Sequence, residues 1–192
     1  FIKWAAENGF KFFDFGSVTL GGKENAIVPF FSRRIGLDAN GQPKKIDAGV
    51  KLAGQAGSEA MGLLHVQTGA EGGIPGEELT VMRLRHRFLR ASSVGALYTR
   101  RDVRDARTPD SQTFGVDVLT QTLLGTKILN VGAFYLDTTT PANTGKGAAY
   151  GLAVDYPNDL VTGAFVFREV QDHYNPSLGF TLRTGFRRVN PS

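Results

Sequence analysis

Three arginines alternate along one short segment of the chain. Arg83, Arg85 and Arg87 are each separated by one residue. In a β-strand, alternate side chains point to the same face, so these guanidinium groups are expected to lie side by side. A row of charges would be prohibitively costly in the apolar core of a soluble protein. The spacing therefore predicts a strand whose charged face lies outside an apolar core.

Further charged residues fall on the strands predicted next to this row. Together they form a predicted lining, made of Lys51, Arg83, Arg85, Arg87, Asp117 and Asp155. Inside the lumen of a β-barrel, a charged lining would select or bind solutes. The alternative interpretation is a ladder of charges that braces the lumen and has no role in transport.

No arrangement of residues typical of catalysis competes with this lining. His65, His86 and His173 are far apart and show no metal-ligand spacing. Asp172 precedes His173 directly, so in a strand the two would point to opposite faces. The chain contains no cysteine and no nucleophile elbow of the Gly-x-Ser-x-Gly type. We therefore expect no catalytic, metal-binding or cofactor-binding residue; a barrel hydrolase would need a Ser/His/Asp arrangement that these residues do not provide.

Polar and apolar side chains alternate repeatedly between residues 44 and 186. In residues 45–52, for example, Ile46, Ala48, Val50 and Leu52 fall on one face. A period of two predicts β-strands, and turn residues separate the segments. We predict an all-β fold, an antiparallel up-and-down meander that is part of a transmembrane β-barrel. An aromatic-rich lead-in with a first strand would occupy residues 1–43, and the strands of a partial barrel residues 44–192. Predicted strands cover residues 27–37, 44–55, 60–67, 78–88, 92–100, 112–121, 127–137, 148–156, 160–169 and 179–187.

The connections between these strands differ systematically in length. Short turns are predicted at residues 56–58, 89–91, 123–126 and 157–159, and long loops at 68–77, 101–111 and 138–145. Barrels that span a bilayer have short periplasmic turns and long external loops. A soluble antiparallel sheet with one wet face gives the same alternation and is the alternative. The membrane interpretation predicts an outward apolar band of Val50, Leu52, Val94, Tyr98, Val116, Val131, Tyr135, Tyr150, Leu152 and Val154.

The amino-acid composition limits the classes of partner that the chain is expected to bind. Its net charge is +4, but the basic residues form short clusters and no long run. Such clusters are typical of solvated strand ends, so no nucleic-acid partner is expected. The sequence has 24 glycines and 8 prolines, and glycine within strands marks bends or close packing. No stretch approaches the roughly 18 apolar residues of a transmembrane helix.

Several motifs resemble one bacterial family. They are PFFSRRIGL at 29–37, IDAGVKLAG at 46–54, VMRLRH at 81–86, FGVD at 114–117, NPSLGF at 175–180 and RTGFRR at 183–188. These are similar to segments of outer-membrane β-barrels of unassigned function, in which a carbohydrate-binding-like β-sandwich of the family-9 type precedes the barrel. The resemblance spans roughly residues 25–190. It implies that a sandwich domain precedes this chain and that more strands follow it.

The resemblance and the alternation lead to one functional expectation. The chain is expected in the bacterial outer membrane, as part of a barrel that serves as pore, receptor or envelope scaffold, with an extension to glycan binding or uptake. Its expected partners are outer-membrane lipid, a glycan or small solute, and other envelope proteins. The alternative is a soluble β-rich binding module of the carbohydrate type, without catalysis.

Overall fold

Eleven β-strands make up the described part of the protein. The computed structural model describes residues 27–37, 41–89, 92–105, 109–125, 127–140, 145–158 and 162–191. The strands are β1 (Ile27–Val28), β2 (Ile46–Ala56), β3 (Glu59–Thr68), β4 (Glu77–Phe88), β5 (Ser92–Val103), β6 (Ser111–Leu124), β7 (Lys127–Thr139), β8 (Ala148–Pro157), β9 (Thr162–Val170), β10 (Phe180–Thr181) and β11 (Phe186–Pro191).

Nine of these strands form one antiparallel sheet. From β2 to β9 each strand pairs with the next in sequence, and β11 pairs with β9. The two short strands β1 and β10 pair with each other outside this sheet. The prediction of an all-β, antiparallel, up-and-down meander is therefore confirmed. Within the described ranges the large sheet is open, with β2 and β11 as its edges.

Helical structure contributes little to the described residues. A three-residue 3-10 turn at Ser32–Arg34 is the helical element seen among them. No helix in this part of the chain is long and apolar enough to cross a membrane.

The connections alternate in length as the sequence predicts. At one end of the sheet, the short-turn end, β2 and β3 are joined by Gly57 and Ser58, and β6 and β7 by residues 125–126. At the opposite end, the long-loop end, residues 69–76, 104–110 and 140–147 connect successive strands. Residues 171–185, which lie between β9 and β11 and include β10, also lie at this end.

The sheet has a covered face and an open face. Phe30, Tyr174 and Leu178, which come from outside the nine strands, pack on the covered face near the long-loop end. Beneath them lie apolar side chains of the sheet: Leu64, Val66, Leu79, Val81, Leu97, Leu136, Ala149 and Val170. The opposite, open face carries no element that the structure describes.

Two predicted strands are wrong. Residues 27–37 were expected as one strand, but β1 ends at Val28. Pro29 has no N–H for a ladder, and the backbone then turns as Arg34 N donates to Phe31 O (2.9 Å). Residues 179–187 were also expected as one strand, but they contribute to two separate sheets. Gly185 has a φ of +67°, a left-handed conformation that interrupts the extended backbone between β10 and β11.

The predicted turn at residues 123–126 is shorter than expected. Leu123 and Leu124 were assigned to a turn, but they pair with Ile128 and Lys127, so only residues 125–126 connect β6 and β7. Gly125, with a φ of +67°, makes this tight reversal possible. Residues 1–26 and 38–40 of the predicted lead-in region, residues 1–43, lie outside the described residues.

Candidate functional site on the covered face

The six predicted lining residues all lie on the covered face. Lys51 is paired through Leu64 with Val81, and Arg83, Arg85 and Arg87 follow Val81 at alternate positions of β4. Arg85 is paired through Gly95 with Asp117, and Asp155 lies on the same side of β8. The structure therefore brings these residues onto one surface. Their role as the lining of a lumen stays a prediction.

Arg83 and Asp117 form a buried ion pair at the centre of this face. Arg83 Nη1 lies 2.5 Å from Asp117 Oδ1, and the two side chains are 2% and 0% exposed. Because β5 separates β4 from β6, the arginine must reach across one strand to meet the carboxylate. Two charges so well shielded from water stabilise the fold only as a pair, since either one alone would be a buried charge without compensation.

Gly95 of β5 makes this contact possible. A Cβ atom at this position would lie 2.6 Å from Arg83 Nη2 and 2.7 Å from Asp117 Oδ1. Real Cβ atoms essentially never approach other heavy atoms so closely. The missing side chain at Gly95 therefore provides the space through which the guanidinium group crosses β5.

The other predicted lining residues are more accessible. Arg87 lies near the short-turn end, where its Nη2 donates to Gly57 O at 3.0 Å. Asp155 Oδ2 accepts a hydrogen bond from Asn130 Nδ2 at 3.3 Å. Lys51 and Arg85 are half-buried. These side chains are less buried than Arg83 and Asp117.

Sequence reasoning missed Arg168 and Arg188, which share this face. Arg168 of β9 is paired with Gly151 on one side and with Arg188 of β11 on the other. Both arginines are half-buried. The alternation within β9 was a usable signal, because Phe165 and Phe167 fall on one face and leave Arg168 on the other. Arg188 could not be placed this way, since the strand was predicted to end at residue 187.

A second charge cluster lies at the long-loop end. Glu77 is 7% exposed, and its Oε1 contacts Lys44 Nζ at 2.8 Å and Arg101 Nη2 at 2.5 Å. Its backbone N–H donates to Thr68 Oγ1 at 2.9 Å. These contacts tie β3, β4, β5 and the segment before β2 together, so we assign the cluster a structural role.

Tyr174 lies in the loop that covers the sheet. Its side chain is 2% exposed, and its hydroxyl makes no hydrogen bond to a described residue. Burial raises the pKa of Tyr174 well above its ordinary value, because the phenolate form would lose its hydration. The residue therefore acts as an apolar cover with a neutral hydroxyl group.

The open face is lined by exposed apolar side chains. Exposure reaches 62% for Val50, 59% for Leu52 and 55% for Leu84. Other exposed apolar residues on this face are Met61, Met82, Val94, Phe114, Val116, Tyr135, Leu152, Phe165 and Val189. Of the ten residues predicted to form an outward band, six are exposed and four, Tyr98, Val131, Tyr150 and Val154, are half-buried.

Aromatic rings are arranged in a row across the open face near the long-loop end. The rings of Tyr135 and Tyr150 are stacked at a centroid distance of 6.3 Å, and Phe167 continues the row 6.0 Å from Tyr150. Tyr98 and Phe114 occupy directly opposite positions on β5 and β6. We call these five residues the aromatic row.

The three histidines make separate contacts in the described structure. His65 Nδ1 contacts Thr80 Oγ1 at 3.0 Å, and His86 pairs with Glu59 on the surface. His173 is exposed and its ring lies against Gly145. Within the described ranges, no three His, Asp or Glu side chains are close enough to hold a metal ion.

Comparisons with protein-family models, curated proteins and solved structures found no match to this chain. The resemblance to outer-membrane barrels therefore stays a prediction.

Proposed function

We propose that the chain forms part of an outer-membrane β-barrel that serves as a pore, receptor or envelope scaffold. The observation that carries this proposal is the polarity of the sheet. The face without a described cover is apolar, and the middle of the covered face is charged. A soluble antiparallel sheet has the opposite arrangement, with its polar face in water and its apolar face against the core.

The open face has the chemistry expected of a lipid-facing surface. Val94, Val116 and Leu152 lie in its middle, between the aromatic row and a second aromatic level at Phe88 and Tyr156. Tyr150 and Tyr156 are six residues apart on β8, or about 20 Å along the strand. Outer-membrane barrels carry an apolar band flanked by aromatic girdles at the two interfaces. The open face supports an orientation in which these aromatic levels lie at the membrane surfaces.

Strand length and connectivity support the same proposal. Strands β2 to β9 have 9 to 14 residues, whereas a tilted strand needs about 9–11 to cross the hydrocarbon layer. An open sheet edge is not stable in lipid, because its backbone groups lack partners. The proposal therefore requires additional strands, from this polypeptide or another, that pair with β2 and β11 and close the barrel.

A soluble carbohydrate-binding module is the second candidate. The aromatic row supports it, because neighbouring rings on a face without a described cover provide a flat apolar surface on which a sugar ring can pack. In this case the open face would be the binding surface. The surrounding exposed aliphatic side chains favour lipid over sugar, since a glycan-binding surface needs polar groups among its rings. Neither candidate involves catalysis.

Partitioning and gel mobility distinguish the two candidates. We expect the protein to require detergent or lipid for solubility and to migrate differently in gels before and after heating, as folded membrane barrels do. A folded protein that stays soluble without detergent and shows no such mobility change would contradict the membrane proposal. Binding of neutral oligosaccharides by that soluble form, lost in Tyr150→Ala, would then support the carbohydrate module.

A further inference from the structure

Two segments of the chain meet on top of the covered face at the long-loop end. Residues 27–35, which precede β2, and residues 171–181, which follow β9, are joined by the pairing of β1 with β10. Phe31 N also donates to Leu178 O at 2.7 Å. The rings of Phe31 and Phe180 meet edge to face, with their centroids 5.2 Å apart. We call these two segments together the strap, since each is bonded to the other.

The strap lies across most of the width of the sheet. Phe30, Tyr174 and Leu178 of the strap are buried in one apolar cluster with side chains of β3, β4, β5, β7, β8 and β9. In a barrel whose open face contacts lipid, the covered face is the wall of the lumen. A strap packed on that wall occupies part of the lumen and narrows it at the long-loop end.

The strap is attached to the sheet without being part of its ladder. Strands β1 and β10 pair with each other and not with any of the nine strands. Asn175 N donates to Thr138 Oγ1 of β7 at 3.2 Å, and His173 N donates to Lys146 O at 3.2 Å. Much of the remaining attachment is the contact made by the apolar cluster. The strap can therefore leave the wall without breaking a hydrogen bond between the nine strands.

Buried hydroxyl groups are concentrated in the strap and on the covered face at the same end of the sheet. Tyr174 and Ser177 of the strap each bury a hydroxyl oxygen that makes no hydrogen bond to a described residue. Thr99 and Thr113, which are directly opposite each other on β5 and β6, do the same. A buried hydroxyl without a partner is costly, and native interiors contain few of them. Apolar contact thus holds the strap on the wall, whereas hydration of the hydroxyls favours its release.

We propose that the strap is a movable constriction of the lumen. Packed on the wall, it narrows the long-loop end. Away from the wall, it widens the passage for ions and small hydrophilic solutes, and water hydrates the hydroxyls that its movement uncovers. This inference rests on the proposed barrel function, and it favours a pore over a receptor or an envelope scaffold.

Single-channel conductance of the intact protein in planar lipid bilayers tests the strap directly. Leu178→Ala removes a buried side chain that holds the strap on the wall, so the fraction of time in a high-conductance state should rise about tenfold or more. Leu182→Ala is the matched control, because Leu182 directly follows the strap and is 63% exposed. It should conduct as wild type does. Equal conductance of wild type and Leu178→Ala would overturn the proposal.

Leu178→Val is a smaller truncation of the same side chain. It should raise the high-conductance fraction in the same direction as Leu178→Ala, by a smaller factor. This variant keeps the test decisive where Leu178→Ala does not fold. A folded Leu178→Val protein with the conductance of wild type would then overturn the proposal.

A reversible tether distinguishes movement of the strap from a general loss of structure. The chain has no cysteine, so Thr138→Cys and Asn175→Cys introduce a single pair at the contact between Thr138 Oγ1 and Asn175 N. In the Leu178→Ala or Leu178→Val background, oxidation of this pair should return the conductance to the low state. Reduction with dithiothreitol should restore the high state. Conductance that is the same with the disulfide formed and reduced would contradict a moving strap.

Failure of the strap proposal is separable from failure of the barrel proposal. Heat-modifiable mobility and insertion into vesicles are measured on the same preparations as the conductance. A protein that inserts with heat-modifiable mobility, and whose variants at position 178 conduct as wild type does, contradicts the strap and leaves the barrel standing. A protein that does not enter lipid contradicts the barrel and the strap together.

Discussion

Arg83 of β4 reaches Asp117 of β6 across the intervening strand β5, and the two charged atoms lie 2.5 Å apart. The contact passes over Gly95, the position at which β5 has no side chain. A single glycine thus allows two buried charges on non-adjacent strands to neutralise each other. Since three strands are locked together by this pair, it is the main polar contact at the centre of the sheet.

Removing the carboxylate should strongly destabilise the protein. Asp117→Asn leaves Arg83 buried without a counter-charge, and breaking such a pair costs about 3–5 kcal/mol. Urea unfolding monitored by circular dichroism measures this change. Asp155→Asn on the same face is the control, and it should cost less than about 1 kcal/mol because Asp155 is half-exposed. Equal effects of the two substitutions would show that the central ion pair has no special role.

Adding one methyl group over the ion pair should have a similar effect. Gly95→Ala would place a Cβ 2.6 Å from Arg83 Nη2, so the guanidinium group must move away from Asp117. We expect a loss of about 1–3 kcal/mol, the usual range for overpacking. Gly54→Ala in β2 is the matched control, since a Cβ there meets nothing within 4 Å. The midpoints of urea unfolding compare the two, and an unchanged midpoint for Gly95→Ala would contradict the close approach.

A charge placed on the open face should impair membrane insertion more in the middle of the apolar band than near its edge. Val116→Lys lies in the middle of the apolar band, where a lysine costs about 2–4 kcal/mol in a membrane barrel. Gln112→Lys lies on the same face of β6 near the long-loop end, where the cost falls to about 0–1 kcal/mol. The fraction of protein that folds into lipid vesicles, measured by heat-modifiable mobility, should drop for Val116→Lys alone. A similar yield for both variants would contradict the lipid-facing assignment.

Tyr174 should make stability sensitive to alkaline pH. Burial raises the pKa of Tyr174 in the folded state, so the folded protein retains a proton that the unfolded chain loses at about pH 10. The stability associated with the neutral side chain is complete below that pH and is lost as pH rises above it. Urea unfolding at increasing pH should show this loss in wild type and in Tyr98→Phe.

Tyr174→Phe should remove the part of the alkaline loss of stability that Tyr174 causes. At neutral pH the substitution should be neutral or slightly stabilising, because the buried hydroxyl has no hydrogen-bond partner among the described residues. If the stability of Tyr174→Phe fell with alkaline pH in the same way as that of wild type does, the buried hydroxyl of Tyr174 would not be the source of the loss.

The sequence predicted the order and pairing of the strands well, because alternation sets the face of each residue and short turns set the neighbours. The strand register has Lys51, Arg83, Asp117 and Asp155 on one face, and their role as a lining stays a prediction. Contacts between distant segments could not be predicted this way. Gly179 approaches Val28 so closely that a Cβ would lie 2.0 Å from Val28 O, and this packing, together with Gly185, breaks the strand expected at residues 179–187.

The Arg83–Asp117 contact was also beyond sequence reasoning. Alternation gives the face of a side chain but not the direction in which a long side chain leans. Arg83 is directly opposite Leu97, and it reaches Asp117 because Gly95, the next residue on the same face of β5, has no side chain. Arg188 was missed because the last predicted strand ends at residue 187, whereas β11 extends to Pro191.

The central claim is that the open face of the sheet contacts lipid and the covered face does not. The chain has no cysteine, so single spin labels can be introduced at Leu84→Cys on the open face and at its neighbour Arg85→Cys on the covered face. Collision rates with oxygen and with a water-soluble nickel chelate are then measured by electron paramagnetic resonance in lipid vesicles. We predict that the label at position 84 meets oxygen preferentially and the label at position 85 meets nickel preferentially. Equal nickel access at both positions, or protein that remains outside the vesicles, would contradict the account.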